Sequence, residues 1–340
     1  MSPQAQAPAH PQANTPSPPP AARRANGRPS TRTLLVAAAL LVIASVVAGI
    51  VSGSTTVLVQ ALVTGLLTGG VYSLIAMGLT LVYGVLHVIN FANGSLVAVA
   101  MFVSYLAVNA LGLHPYVALI VTVPVMALIG AGIQAGLLNP IMRAPIHTQL
   151  LVTIGVALAF ESLLLMIAGP NPKSVSLPGD FGVDIFGATV SVARIYAFAG
   201  ALVLVALLWI VLQKTRMGTA IRSVAASPEG ARLVGINVKR IYVITFALGA
   251  AAAGAAGTLV APFTTIEPTA GATFNLTAFV VVVLGGMGNV PGALVGGLIV
   301  GLTEQLGGLI LPGQSPLLAV FVVFLLVLFA KPQGIFGRSS

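Results

Sequence analysis

Two carboxylates, Glu161 and Glu304, stand inside long apolar runs of this 340-residue chain. A charge at the centre of a bilayer costs about 3 kcal/mol or more, so each should face a protein interior or water, or be held neutral. Their chemistry is either interhelical hydrogen bonding or a sparse proton relay. A second polar interruption is His87-Val88-Ile89-Asn90-Phe91-Ala92-Asn93-Gly94-Ser95. Its amides, Asn90 and Asn93, either cap the following helix or line a polar path. Nothing in the chain points to catalysis. It has no Gly-x-x-x-x-Gly-Lys-Ser/Thr phosphate cradle, no His pair at helical spacing and no Gly-x-Ser-x-Gly elbow. The four histidines, His10, His87, His114 and His147, are scattered. Cys is absent, which excludes disulfides, thiolate zinc sites and thiol chemistry. No metal and no cofactor is expected on this chain.

Such residues must be positioned by apolar elements. Hydrophobic residues are 57% of the chain and charged residues 6%, with a mean hydropathy of +1.06. Soluble domains carry roughly 25% charged residues. The composition therefore predicts an all-α, polytopic transmembrane helical bundle. Apolar segments fall at 34–51, 56–86, 92–111, 116–138, 149–169, 193–213, 241–262, 272–287, 290–311 and 315–330. Most are about 20 residues long, enough for roughly 30 Å of hydrocarbon. That gives about ten segments, with eight or nine possible. Segment 56–86 is long for one straight span, and 272–287 is short enough to be a half-helix.

Charge sets the direction. Residues 1–32 hold eight of the 22 prolines and no apolar periodicity, and read as a disordered tail. The transmembrane region is 33–338. Arg23, Arg24, Arg28 and Arg32 precede the first apolar run. That run is either a retained first helix or part of a twin-arginine signal. The connector 214–240 packs six of the chain's fifteen Lys/Arg residues. Basic loops stay cytoplasmic. Ten crossings then put both termini, Arg143 and the 214–240 loop in the cytoplasm, and Lys173, Asp180 and Asp184 outside. The net charge of +9 follows the ends of the apolar runs. It suits membrane lipid, and nucleic acid is not expected as a partner.

Glycine recurs every fourth residue at Gly65/Gly69, Gly132/Gly136, Gly288/Gly292/Gly296 and Gly297/Gly301. This spacing predicts close helix packing. Gly285-Gly286-Met287-Gly288 before Pro291 predicts a turn at membrane depth, with Pro291 opening the next helix. In the basic loop, Ser227-Pro228-Glu229 reads as a helix start and Gly235 as its stop, giving a short helix over 228–234.

Three blocks carry a family resemblance. They are Gly69 to Gly84 followed by Ile89-Asn90-Phe91-Ala92; Gly218-x-Ala220-x-Arg222-x-x-Ala225 with Ala231-x-x-x-Gly235-Ile236; and Ala278 to Ala293 continuing to Gly301-Leu302-Thr303-Glu304. In this order they resemble the branched-chain amino acid ABC transporter permeases of the LivH type, over roughly residues 55–338. The resemblance implies a membrane permease subunit of an ATP-driven importer for branched-chain amino acids. It implies a second permease subunit, two cytoplasmic ATPase subunits and an external substrate-binding protein. The loop residues Gly218, Ala220, Arg222, Ala225, Ala231, Gly235 and Ile236 would form the ATPase-coupling element, with Glu229 and Arg232 helping to seat an ATPase. Tyr72, Asn90, Asn93, Gly285, Gly286 and Gly288 are the candidate translocation path.

One departure stands out. Family members usually show His-Gly-Glu after Asn-Phe-Ala, where this chain has Asn93-Gly94-Ser95. A titratable group and a carboxylate are thereby lost. Related permeases carry urea or short amides, which keeps those substrates open. A stand-alone secondary transporter or channel, or a membrane scaffold, are the other classes.

Overall fold

The computed structural model describes residues 53–179, 181–185, 187–311, 316–331 and 333–336, together with Ser45 and Gly49. The expectations for the 1–32 tail, for most of the 34–51 helix, for Asp180 and for Arg338 lie outside these residues. Among the described residues, seven helices are long and apolar enough to cross a membrane and two apolar ones are shorter.

The long helices are α1 (Thr55–Leu86), α2 (Asn93–Leu111), α3 (Leu119–Ile133), α5 (Ile146–Ala168), α6 (Val192–Lys214), α9 (Val238–Val260) and α11 (Val290–Ile310). A π-helical turn, Gln134–Leu138, and the short α4 (Asn139–Ile141) extend α3. The shorter apolar helices are α10 (Ala270–Gly285) and α12 (Pro316–Ala330). Two small helices, α7 (Arg216–Ala226) and α8 (Pro228–Leu233), fill the basic loop. Segment 56–86 is thus one unbroken 32-residue helix, and 272–287 is a 16-residue helix ending in the glycine turn.

The bundle is built around α1, which packs on α11, α9, α6 and α10. Glycine makes its closest contacts possible. A Cβ on Gly65 would lie 2.9 Å from Gly301 O, and one on Gly69 would lie 2.8 Å from Gly297 O. Ser73 Oγ lies 2.8 Å from both Gly69 O and Leu294 O, bridging the two helices. Gly78 meets Gly249 of α9 in the same way. In lipid, where no hydrophobic force draws helices together, such backbone proximity is the main source of attraction. Gly132 and Gly136 depart from this expectation. A Cβ on either would meet nothing within 4 Å. Their spacing is the same, but they project from the open side of the α3 end.

Between α1 and α2 the chain is not helical. His87 adopts φ 56°, and residues 87–90 hold no regular secondary structure. Gly84 lies against Gly288 at the far end of α10, whereas Gly94 packs on Gly271 and Asn275 near its start. The stretch therefore travels part of the depth of the bundle as irregular backbone, which hydrocarbon tolerates only inside protein. Its groups are accommodated there. Thr153 of α5 receives the Phe91 N–H at 3.3 Å and approaches Ile89 O at 3.3 Å, and Phe91 stacks on Phe279 at 5.0 Å.

The 170–192 connector holds structure the apolar pattern did not predict. Strands β1 (Gly182–Ile185) and β2 (Ala188–Ser191) form an antiparallel hairpin. Lys173 pairs with Ile266 as an isolated bridge, tying the connector to the segment after α9. Ser191 caps α6 by accepting the Ala193 N–H at 3.2 Å.

Candidate functional site

The alternation of helices gives the molecule two polar faces. One gathers the end of α1, the α6–α9 loop, the α10–α11 turn and residues 334–336. The other gathers the β-hairpin, the start of α1, the end of α11 and the start of α12.

On the basic face, the local chemistry builds a two-helix element. Thr215 Oγ1 caps α7 by accepting the Gly218 N–H at 3.0 Å. Gly218 is buried against Val211 O and Leu212 O, where a Cβ would collide with backbone. Arg222 donates to Leu212 O, fastening α7 to the end of α6. Ser227 Oγ caps α8 by accepting the Gly230 N–H at 3.0 Å. The helix ends in a paired C-cap: Ile236 N–H to Ala231 O at 2.9 Å and Gly235 N–H to Arg232 O at 3.0 Å, with Gly235 at φ 83°. Ala231 is buried and Ala220, Ala225 and Ile236 are half-buried against the core. Glu229 and Arg232 are exposed. Leu233 and Val234, apolar residues that the sequence already placed on this short helix, are 90% and 75% exposed and form an apolar tip on a polar loop.

Beside this element lies a cavity of about 620 Å³. Tyr83, His87, Arg222, Gly288, Asn289 and Phe336 all line it. The glycine turn thus shares a space with α7. Gly286 and Gly288 adopt φ 99° and 79°, which only glycine does without strain. Gly285 packs on Gly292, so the helices on either side of the turn touch backbone to backbone. Asn289 caps α11 through the Gly292 N–H at 3.0 Å and donates to Phe336 O at 3.2 Å. Ile335 N–H reaches Leu284 O at 2.8 Å, laying the C-terminal segment over the turn. Pro291, the second residue of α11, and Asn289 at its N-cap were the available sequence signal for this cap.

Asn90 and Asn93 are both 1% exposed, deep in the bundle. Asn90 Oδ1 accepts the Ala92 N–H at 3.0 Å, a local turn that ends the irregular stretch. Asn93 makes no cap: the N-cap of α2 is Ala92, with no side-chain bond. Its Nδ2 is buried without a hydrogen-bond partner. Neither amide lines the two cavities described.

On the hairpin face, Glu304 of α11 and Arg194 of α6 line a cavity of about 680 Å³. Tyr72 of α1 neighbours the Glu304 carboxyl. Arg194 acts electrostatically on both and sits 5.3 Å from the centroid of the Phe263 ring. Sequence reasoning saw Glu304 and Tyr72 but not Arg194. Arg194 lies one helical turn inside an apolar run, a position that reads from sequence as a mere helix-end charge. Glu161 is elsewhere, on α5, which packs mainly on α2. The two intramembrane carboxylates are therefore not brought together.

Among the described residues no cluster of His, Cys, Asp or Glu could hold a metal ion. The arrangement offers cavities, polar anchors and a protruding basic element, the equipment of passage and coupling.

Known proteins resemble this chain in sequence. The family described as branched-chain amino acid transport system, permease component, matches residues 61–330. The high-affinity branched-chain amino acid transport system permease protein BraD of Pseudomonas aeruginosa is 30% identical over 295 residues, 83% of this chain and 96% of that protein. The permease protein LivH of Escherichia coli K12, of the same description, is 31% identical over 297 residues, with the same coverage of 83% and 96%. The ribose import permease protein RbsC of Escherichia coli K12 is 30% identical over 278 residues, 76% of this chain and 81% of that protein. No solved structure matches the chain. With seven membrane-length apolar helices and a family match over most of its length, this multi-pass membrane protein belongs to the family of permease components of branched-chain amino acid transport systems.

Proposed function

We propose that the chain is the permease subunit of an ATP-driven importer for branched-chain, hydrophobic amino acids. The observation that carries this reading is the near end-to-end match to permeases named for that substrate, 96% of both BraD and LivH. The basic face would be cytoplasmic and would receive two separate ATPase subunits. The hairpin face would be external and would receive substrate from a binding protein. A second permease subunit would complete the pore. Helix α5 supports that partnership, since only 6% of its span is buried within the chain against 72% for α1.

On this reading α7 and α8 form the coupling element. The buried Gly218 and Ala231 set its shape, and Glu229, Arg232, Leu233 and Val234 offer its contact surface. Motion of α7 would reach the glycine turn through the cavity they share. A largely apolar interior suits aliphatic side chains. The RbsC similarity favours a second reading, a sugar permease, with the same coupling mechanics.

Uptake in a deletion strain separates the two. Loss of leucine, isoleucine and valine uptake, restored by the intact gene but not when the partner ATPases are inactivated, is the expected result. Uptake that is lost for ribose or urea and unchanged for leucine would reject the amino-acid assignment. Uptake that survives ATPase inactivation would reject ATP coupling.

A further inference from the structure

We propose that the hairpin-face cavity is a receiving site for the zwitterionic head of an α-amino acid, with Glu304 facing the ammonium and Arg194 the carboxylate. The proposal rests on the amino-acid reading above and names the chemistry of one site within it.

Ionisable residues inside a membrane bundle are costly and are retained where they pair or serve a pathway. Arg194 and Glu304 line one cavity of about 680 Å³. Opposite charges so placed would ordinarily close into an ion pair. Among the described residues they form none within 4.0 Å. Tyr72 of α1 neighbours the Glu304 carboxyl. The Phe263 ring supports the Arg194 guanidinium at 5.3 Å. The two charged side chains, from α6 and α11, thus open on one cavity without pairing.

Among the described residues Glu304 lines the cavity without a partner of opposite charge, so a ligand ammonium entering there would meet its carboxyl. The guanidinium fork of Arg194 matches a carboxylate in the bidentate geometry that arginine favours. Val57, Ala61 and Leu309 on the cavity wall offer an apolar surface to an aliphatic side chain. The volume lies within the roughly 300–1,000 Å³ usual for small-molecule sites. A neutral polyol or urea would leave both charges desolvated without a counter-charge, which is unfavourable. The site thus selects for a molecule carrying both charges.

The test uses the complete complex with its ATPases in lipid nanodiscs, without binding protein, and reads displacement of radiolabelled leucine. The competitors are leucine, 4-methylpentanoate (no ammonium), 3-methylbutylamine (no carboxylate) and ribose. Leucine should displace the label, and each single-charge analogue should compete roughly tenfold more weakly or worse, the loss expected for one charge-assisted hydrogen bond. Ribose should not compete. Glu304→Gln should weaken leucine and narrow its advantage over 4-methylpentanoate. Arg194→Gln should narrow its advantage over 3-methylbutylamine, and Arg194→Lys should recover part of the loss. A purely structural role would change no such preference. If a variant fails to assemble, the competition series on the unaltered complex decides alone. Analogues that compete as well as leucine, or no leucine binding in a complex that still imports leucine, would overturn the site and leave the amino-acid reading standing. Import of ribose but not leucine would instead overturn that reading, and the site with it.

Discussion

A methyl group on Gly69 would sit 2.8 Å from Gly297 O and 2.9 Å from Leu298 Cα, both backbone atoms that cannot swing aside. Gly69→Ala should therefore force α1 and α11 apart and cost about 1–3 kcal/mol, the usual penalty of overpacking. The check is the melting midpoint of the purified permease, which should fall. Gly132→Ala is the matched control. Nothing lies within 4 Å of its added Cβ, and alanine favours helix, so the midpoint should hold or rise. The two glycines carry one spacing signature and cannot be told apart by it. What separates them is which helix lies opposite, and that depends on tertiary placement. The same limit hid Arg194. Its type was visible, but the shared cavity with Glu304 arises from two helices more than 100 residues apart in sequence.

Helix α8 has six residues, too few to be stable by propagation alone. Its two ends hold it: the Ser227 cap at 3.0 Å and the Gly235 C-cap at φ 83°. Ser227→Ala should remove about 1 kcal/mol of local stability. Hydrogen exchange across residues 228–234 should rise while exchange in α9 stays unchanged. Leu233→Asp tests the contact surface rather than the fold. That side chain is 90% exposed, so the isolated permease should melt as before, while copurification of the ATPases should drop. Unchanged copurification would remove Leu233 from the docking surface. Charge reversal at Glu229 and Arg232 together asks the same of the polar contacts.

The helix itself was legible in sequence because its signals are local: a hydroxyl, a proline and an acid at one end, a glycine at the other. The apolar segments were legible for the same reason, since hydrocarbon imposes length and composition directly. The β-hairpin over 182–191 was not, because its short strands carry no apolar run and its pairing is set by Gly187 and by the hairpin's seat on α1. The irregular stretch after His87 also escaped. Asn90 and Asn93 marked a break, but only the packing of Gly94 on Gly271 shows that the break lies inside the bundle.

At the scale of the whole molecule, sidedness is the property on which coupling depends. Arg143, the six basic residues of 214–240 and Lys331 belong to helix ends on one face, whereas Lys173, Asp184 and Glu267 belong to the other. Lysine and arginine near helix ends are retained on the cytoplasmic side, and acids contribute little to this bias. On the proposed reading this distribution would set α7 and α8 inside, where ATPases could reach them, and the Glu304–Arg194 cavity outside. The absence of cysteine makes this directly testable, because any single introduced thiol is the sole target on the chain. Ser174 and Ala226 are both exposed and lie on opposite faces. In intact cells a membrane-impermeant maleimide should label Ser174→Cys at once, and Ala226→Cys only after permeabilisation. The reverse pattern would turn the molecule over. It would place the coupling helices where no ATP is available, and no ATPase subunit could then act on them.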